Sequence, residues 1–219
     1  MFRAILFDLD NTLIDRQTAF RLYAIDFCRR RLQLHSPLEQ EQALKELLAA
    51  DDWGYRSRDE FCEWVSGRFP AAQLQPGDIW EDCCQHLPTF VEPDSRVQGM
   101  LARLADRFRL LAVTNGSGRN QHEKLRRAQL NDYLQEAIVS GEVGFEKPHP
   151  AIFERALAIA GCSADEAIVV GDDPQADIVG AKQAGLKACW VSLGRRYPAG
   201  MIPPDEVLFS VLDLERWLV

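Results

Sequence analysis

The stretch that decides the fold is Ala4-Ile5-Leu6-Phe7-Asp8-Leu9-Asp10-Asn11-Thr12, in which four apolar residues end abruptly in a carboxylate. A short, continuous apolar run is typical of a strand that is buried on both faces of a parallel sheet. The polar residues after it would lie at the carboxyl end of the strand, where ligands bind in open α/β sheets. The stretch therefore predicts a buried first strand that presents two carboxylates.

Two later segments repeat this pattern of an apolar run followed by polar residues. Residues 110–113 lead into Thr114-Asn115-Gly116, and residues 167–170 lead into Gly171-Asp172-Asp173. Weaker strand candidates and helix-like segments complete the pattern: strands at 137–139 and 187–191, and helices at 97–107, 119–130, 150–160 and 176–184. Strands that alternate with helices predict an α/β fold with a Rossmann-like, doubly wound parallel sheet.

The segment from residue 16 to residue 89 has a different pattern. Its apolar residues recur at helical spacing, as in Phe20, Tyr23, Ala24 and Phe27, and it contains no convincing strand. We predict that it forms a four-helix cap domain inserted after the first strand. Residues 1–15 and 90–219 would then form the Rossmann-like core.

Composition and charge narrow the range of partners. The 219 residues carry a net charge of -8, which does not favour nucleic acid or an anionic membrane as a partner. No apolar run is long enough to span a bilayer, and the six cysteines form no C-x-x-C pair. We expect a soluble, cytoplasmic monomer or dimer that acts on a small molecule.

The carboxylates after the first and third apolar runs predict a metal site. Asp8 and Asp10 are two residues apart, so extended geometry would point both side chains the same way, and like charges held close need a cation or a proton. Asp172, Asp173 and Asp177 follow the other strand, and oxygen ligands at this density suit Mg²⁺. The alternatives are a polar turn at Asp8 and Asp10, and favourable helix N-terminal positions for Asp173 and Asp177.

Two further segments could bind an anion. Thr114-Asn115-Gly116 offers a hydroxyl and successive backbone N–H groups before a helix, and Lys147 precedes a proline-initiated helix. An ordinary glycine-rich loop and a solvated lysine are the alternatives. His149 has no comparable context, and we interpret it as structural or solvent-facing.

These motifs, taken together and in order, resemble those of the haloacid dehalogenase-like (HAD) hydrolase superfamily. They are Asp8-x-Asp10-x-Thr12, Thr114-Asn115, Lys147-Pro148, and Gly171-Asp172 with Asp177. The resemblance covers essentially the whole chain, including a helical cap after the first strand. It implies that Asp8 attacks phosphorus to form an aspartyl-phosphate and that Asp10 serves as general acid and then general base.

The resemblance also implies a set of metal ligands. The carboxylates of Asp8 and Asp172 and the backbone carbonyl of Asp10 would hold Mg²⁺. Asp173 or Asp177 would complete the shell or orient Lys147, and the sequence leaves open which of the two lies closer.

Phosphate recognition is implied for a third group of residues. Thr114, backbone N–H groups around Asn115 and Gly116, and Lys147 would bind the phosphoryl oxygens. Thr12 would support the turn that orients Asp10. Cap residues would select the substrate, and those of first interest are Arg16, Trp53, Tyr55, Arg56 and Arg58.

The resemblance leaves three functions to be weighed. True dehalogenases lack an acid two residues after the nucleophile, so Asp10 favours a phosphatase that acts on a small phosphorylated metabolite. A phosphomutase acting on a sugar phosphate would keep both aspartates. A catalytically silent binding module would have no chemical need for this costly acidic cluster, so the intact Asp8, Asp10, Lys147 and Asp172 argue against it.

Overall fold

The computed structural model describes residues 2–218, and its six strands form one sheet in the order β3-β2-β1-β4-β5-β6. Every neighbouring pair is parallel. The strands are β1 Ala4–Phe7, β2 Arg109–Thr114, β3 Glu136–Val139, β4 Ala167–Gly171, β5 Lys187–Val191 and β6 Glu206–Leu208. The expected doubly wound parallel sheet is confirmed.

Ten α-helices occur among the described residues. They are α1 Arg16–Arg30, α2 Pro37–Asp51, α3 Arg58–Arg68, α4 Pro76–His86, α5 Ser95–Ala105, α6 Gly118–Arg127, α7 Ser140–Val143, α8 Pro150–Ala160, α9 Gly180–Gln183 and α10 Leu214–Trp217. A π-helical segment, Pro174–Val179, runs directly into α9.

The order of the strands reverses beside β1. The chain passes from β1 through β2 to β3 on one side, and then returns to β4 on the other side of β1. Phe7, the last residue of β1, lies opposite both Ala112 and Val170. A crevice forms at the carboxyl ends of the strands where such a reversal occurs, and Asp8 and Asp172 follow the two strands that flank it.

Both faces of the central strands are buried, as the continuous apolar runs predict. Leu6 and Val169 belong to a cluster that also contains Phe153 of α8 and Trp190 of β5. Phe7, which points to the opposite face because side chains alternate along a strand, is also fully buried. The sheet is therefore a rigid platform for the residues at its carboxyl end.

The chain divides into two compact units, Met1–Asp15 with Glu92–Val219, and Arg16–Val91. The second unit therefore extends two residues beyond the expected boundary at residue 89. The short 3₁₀-helix Leu87–Phe90, which precedes Val91, packs against α1 of this unit. This contact explains why the helical unit extends to Val91.

The helical unit contains α1 to α4 and has a core of its own. Tyr23 packs against Phe27 with ring centroids 5.7 Å apart, and its hydroxyl donates to the buried Asp82 at 3.2 Å. Arg30 donates to both oxygens of the same carboxylate, at 2.9 and 3.1 Å. This carboxylate thus joins α1 to α4.

The structure differs from the sequence prediction in several elements. The edge strand β6 was not predicted, because it has only three residues and Val207 at its centre is half exposed. α5 and α6 begin and end one to three residues earlier than expected, at Ser95–Ala105 and Gly118–Arg127. The expected helix at 176–184 begins at Pro174, because Asp173 caps it, and its first part is π-helical. Among the described residues, no helix has the length and apolar character required to cross a membrane.

Candidate active site

Lys147 connects two carboxylates at the carboxyl end of the sheet. Its ammonium donates to Asp8 Oδ1 at 2.7 Å and to Asp177 Oδ1 at 2.6 Å. All three residues are buried, and Asp177 has no exposed surface. Residues separated by up to 139 positions in the sequence therefore share one desolvated ion pair network.

Asp172 completes an acidic cluster with Asp8 and Asp177. One carboxylate oxygen from each residue lies within 4.8 Å of the others. Arg195 contacts the cluster from the loop after β5, since it donates to Asp172 Oδ2 and to the Asp172 carbonyl, both at 3.1 Å. The Trp190 indole donates to the same carbonyl at 2.8 Å, which holds the Asp172 backbone in place.

Burial and mutual repulsion shift the protonation equilibria in this cluster. Burial raises the pKa of Asp8 well above its usual value, and Asp177 and Asp172 raise it further, while Lys147 opposes the shift. Burial alone would lower the pKa of Lys147, but the charges of Asp177 and Asp8 outweigh it and the pKa lies above its usual value. Lys147 thus stays charged and only partly offsets the three carboxylates.

Asn115 fixes the backbone that carries Lys147. Its side-chain amide donates to the Lys147 carbonyl at 2.9 Å and accepts from the Lys147 N–H at 2.8 Å. This paired contact joins the loop after β2 to the loop before α8. Asn115 was predicted to bind phosphate through its backbone, and its side chain serves to place the lysine.

Gly171 is required by the side chain of Asp177. A Cβ atom at Gly171 would overlap the Asp177 carboxyl group, so only glycine leaves room for it. Asp177 Oδ2 also accepts from the Asp173 backbone N–H at 2.9 Å. Gly171 thus allows a carboxylate of the chain itself to lie against the backbone.

Asp173 and Asp177, which the sequence left undistinguished, have different roles in the structure. Asp177 belongs to the acidic cluster, whereas the Asp173 carboxylate accepts from Gln175 N at 2.8 Å and Ala176 N at 3.0 Å. Asp173 therefore caps the π-helical segment, as its helix N-terminal interpretation predicts.

Removing this cap is expected to lower stability. Asp173→Ala should reduce the free energy of unfolding by about 1 kcal/mol, because two backbone N–H groups lose their acceptor. Asp173→Asn should be at least as stable as the wild type, since asparagine still caps and the charge that faces Asp177 is removed. Urea denaturation of the two variants measures the difference, and equal losses in both would contradict the capping role.

The Asp10 carboxylate is held by α6. Lys124 donates to both of its oxygens, at 2.8 and 2.7 Å, and the Gln121 amide donates to Oδ2 at 3.0 Å. The same Gln121 nitrogen donates to Thr114 Oγ1 at 2.6 Å. Asp10 thus lies in a contact network separate from that of the Lys147 ammonium.

Gly116 and Thr12, also predicted site residues, contribute through their backbones. Gly116 has a φ of 138°, a conformation that other residues rarely adopt, and its N–H donates to Ser140 Oγ at 3.0 Å. The Thr12 N–H donates to the Leu9 carbonyl at 3.4 Å, which closes the turn after β1. Within residues 2–218, the buried Thr12 hydroxyl has no hydrogen-bond partner.

Sequence reasoning missed Gln121, Lys124 and Arg195. A signal existed for the first two, because they are polar residues on the same helical face as the buried Leu125. Arg195 follows the end of β5, so the reasoning that was applied to polar residues after β1, β2 and β4 would also have singled it out.

The remaining candidates lie in local structure. His149 Nδ1 accepts from Ala151 N at 3.2 Å and so caps α8, as a structural histidine would. In the helical unit, Arg16 forms a two-point ion pair with Asp51, with both distances 2.7 Å. Arg58 donates to Asp59 at 2.8 Å and lies over the Trp80 ring.

The fold and this site define a class of protein, an α/β enzyme with a buried acidic cluster at the carboxyl ends of its central strands. Residues 5–191 match the family described as haloacid dehalogenase-like hydrolase. The chain belongs to this family, as the order of its motifs suggested.

Several relatives cover nearly the whole chain. It is 30% identical to the glyceraldehyde 3-phosphate phosphatase of Pyrococcus abyssi over 204 residues, which span 89% of this chain and 83% of the relative. It is 29% identical to the mouse N-acylneuraminate-9-phosphatase over 248 aligned positions, with coverage of 99% and 93%. The magnesium-bound HAD-hydrolase YfnB from Bacillus subtilis superimposes with a TM-score of 0.75 at 26% identity, and the match covers 99% of this chain and 98% of YfnB.

Proposed function

We propose that this enzyme is a Mg²⁺-dependent phosphatase that hydrolyses a small phosphate monoester through an aspartyl-phosphate on Asp8. The observation that carries the proposal is the position of the Asp8 carboxylate, at the end of the central strand and in contact with Lys147. Asp10 lies two residues further on, where a phosphatase of this family needs an acid. Two of the relatives are phosphatases of small phosphorylated metabolites, which supports the same class of substrate.

The acidic cluster fits a divalent cation. Three buried carboxylates lie within 4.8 Å of one another, and burial together with their repulsion raises the pKa of Asp8 even though Lys147 is present. Hard oxygen donors of this kind suit Mg²⁺. In our proposal Asp8, Asp172 and the Asp10 backbone carbonyl hold the ion, and Asp177 orients Lys147. When bound, Mg²⁺ would offset the negative charge of the nucleophile and of the phosphoryl oxygens.

The first displacement forms the phosphoenzyme. An Asp8 carboxylate oxygen attacks phosphorus, the new O–P bond forms, and the bond from phosphorus to the ester oxygen breaks. Asp10 gives a proton to the departing oxygen, so that the product leaves as a neutral alcohol. Lys147 and the Thr114 hydroxyl bind the phosphoryl oxygens and stabilise the charge that spreads over them.

The second displacement restores the enzyme. Asp10, now deprotonated, takes a proton from water as that water attacks the phosphoryl group, and the bond from Asp8 to phosphorus breaks. Inorganic phosphate is released and Asp10 again holds its proton. The paired contact of Asn115 with Lys147 keeps the ammonium in place through both steps.

Substrate selection belongs, in our proposal, to the helical unit Arg16–Val91 acting as a cap. This unit begins at Arg16, and residues 11–15 connect it to Asp10. The first positions to vary are Arg16, Trp53, Tyr55, Arg56 and Arg58, and of these Arg16 forms an ion pair with Asp51. We also propose a reducing, cytoplasmic location, in which cysteines are kept as thiols.

Turnover of p-nitrophenyl phosphate tests the proposed reaction. We expect release of nitrophenol and inorganic phosphate in equal amounts with Mg²⁺, and loss of that activity with EDTA, because the cation that would offset the charge of the nucleophile and of the phosphoryl oxygens is then removed. A requirement for a sugar bisphosphate would favour a phosphomutase instead. Absence of turnover in pure, folded, Mg²⁺-loaded protein would refute the enzyme proposal.

A further inference from the structure

The side chain of Asp10 accepts hydrogen bonds from two buried polar residues of α6 that have no role in the proposed reaction. Lys124 and Gln121 are only 3% and 1% exposed. Together they make three contacts to the Asp10 carboxylate, at 2.7, 2.8 and 3.0 Å. An ammonium is buried only when it is paired, so Lys124 and Asp10 stabilise each other's position.

Gln121 connects this carboxylate to the Thr114 hydroxyl. Its Nε2 atom carries two hydrogens, and donates one to Asp10 Oδ2 and one to Thr114 Oγ1. When Asp10 is ionised, its carboxylate can only accept, so the nitrogen of the Gln121 amide must then face Asp10. Because the Thr114 oxygen accepts from Gln121, the hydroxyl's own hydrogen points elsewhere and is free to be donated to a phosphoryl oxygen.

Both residues act from one rigid element. They are three positions apart and therefore lie on one face of α6. This helix starts just after the Thr114 loop, and the Ser117 hydroxyl caps it by accepting from the Asn120 N–H at 3.4 Å. Gly116 passes so close to Gln121 that a Cβ atom there would lie 3.1 Å from the Gln121 side chain. The loop and the helix thus hold the glutamine in a single place.

We infer that Gln121 and Lys124 are positioning residues. Lys124 orients the Asp10 carboxyl group towards the departing and attacking oxygens, and Gln121 links the orientation of this carboxyl group to that of the Thr114 hydroxyl. The inference rests on the proposed function. In the first displacement, the proton passes from Asp10 to the ester oxygen as its bond to phosphorus breaks. A carboxyl group that is out of place slows this transfer most when the leaving oxygen is strongly basic.

Two aryl phosphates of similar size separate positioning from general damage. p-Nitrophenolate leaves without much help, whereas phenolate, whose conjugate acid has a pKa of about 10, needs a proton. Lys124→Met should lower kcat/KM for phenyl phosphate by about 10- to 100-fold, and for p-nitrophenyl phosphate by less than about 5-fold. Lys124→Gln provides a second, polar variant if the methionine variant does not fold.

Inorganic phosphate distinguishes the two residues from each other. Gln121→Met should show the same dependence on leaving group and should also weaken inhibition by inorganic phosphate by about 2- to 10-fold, since the Thr114 hydroxyl loses its orientation. Lys124→Met should leave the phosphate inhibition constant unchanged, because Lys124 contacts Asp10 and not Thr114.

Matched controls and one further variant complete the experiment. Gln98→Met and Lys182→Met remove comparable contacts, to Ala128 and Asp205, away from Asp10. Neither should change the ratio of kcat/KM for the two aryl phosphates or the inhibition constant of inorganic phosphate. Asp10→Asn should lower kcat/KM for phenyl phosphate far more than kcat/KM for p-nitrophenyl phosphate, because the proton donor itself is removed. If Asp10→Asn shows this leaving-group effect and the Lys124 variants slow both substrates equally, the inference is overturned while the proposed function stands. If Asp10→Asn itself shows no leaving-group effect, the acid role of Asp10 and the inference both fail.

Discussion

Asp8→Asn is expected to lower kcat for p-nitrophenyl phosphate by about 10⁴-fold or more, because loss of a nucleophile removes the covalent route altogether. Asparagine has nearly the shape of aspartate but lacks the charged oxygen that attacks phosphorus. The fold should persist, since Lys147 keeps its 2.6 Å contact with Asp177 and one of three crowded negative charges is removed. Steady-state kinetics with saturating Mg²⁺ measure the loss, and circular dichroism and the melting temperature monitor the fold.

Asp205→Asn is the matched control for this substitution. Asp205 is also an aspartate that is paired with lysine, since it contacts Lys182 at 2.8 Å and Lys187 at 2.9 Å, but it is not in the acidic cluster. We expect its kcat to match that of the wild type. Residual activity of Asp8→Asn within tenfold of the wild type, in a preparation free of contaminating phosphatase, would exclude Asp8 as the nucleophile.

The second large effect is on stability and comes from Lys147→Met. Without the ammonium, Asp8 and Asp177 remain buried beside Asp172 with no cation between them. Removing one partner of a buried ion pair costs about 3–5 kcal/mol, and for a chain of this size that is a fall in melting temperature of about 6–20 °C. The loss should be measured in EDTA, where no metal compensates for the missing charge.

Magnesium should restore part of this loss. A cation that binds the folded state alone stabilises it by mass action, and the variant's cluster carries one more uncompensated negative charge than that of the wild type. The rise in melting temperature with added Mg²⁺ should therefore be larger for Lys147→Met than for the wild type. The control is Lys187→Met, because Lys187 is half exposed and its pair with Asp205 is worth less than about 1 kcal/mol. Equal melting temperatures of Lys147→Met and the wild type in EDTA would refute the structural role of the ammonium.

Much of the fold could be predicted, because its strands are marked by composition. Segments such as 4–7 and 167–170 are short, continuous apolar runs typical of strands buried on both faces, and the fold class predicted from them is confirmed. The family, which the order of the motifs indicated, is confirmed as well. β6 could not be predicted in this way. It is a three-residue edge strand, so its backbone pairing with β5 carries no pattern of buried side chains.

The candidate site was predicted as a set of residues and not as a set of contacts. The rule that ligands bind at the carboxyl ends of parallel strands singled out Asp8, Asp172 and Asp177. The same rule could not separate Asp173 from Asp177, because both fall in the first turn of one helix. Their roles depend on which side chain points at Lys147, and that follows from the packing of Asp177 against Gly171.

The sequence by itself determined that an acidic pair, Asp8 and Asp10, stands at the end of a buried first strand, because the apolar run and its abrupt end are local properties of the chain. Only the tertiary structure decided how the two aspartates differ: Asp8 faces Lys147 and the acidic cluster, and Asp10 faces Lys124 and Gln121. The physical reason is that buried charges must be paired across distant segments. Which segments meet depends on the order of the strands in the sheet, and the spacing of residues along the chain does not contain that information.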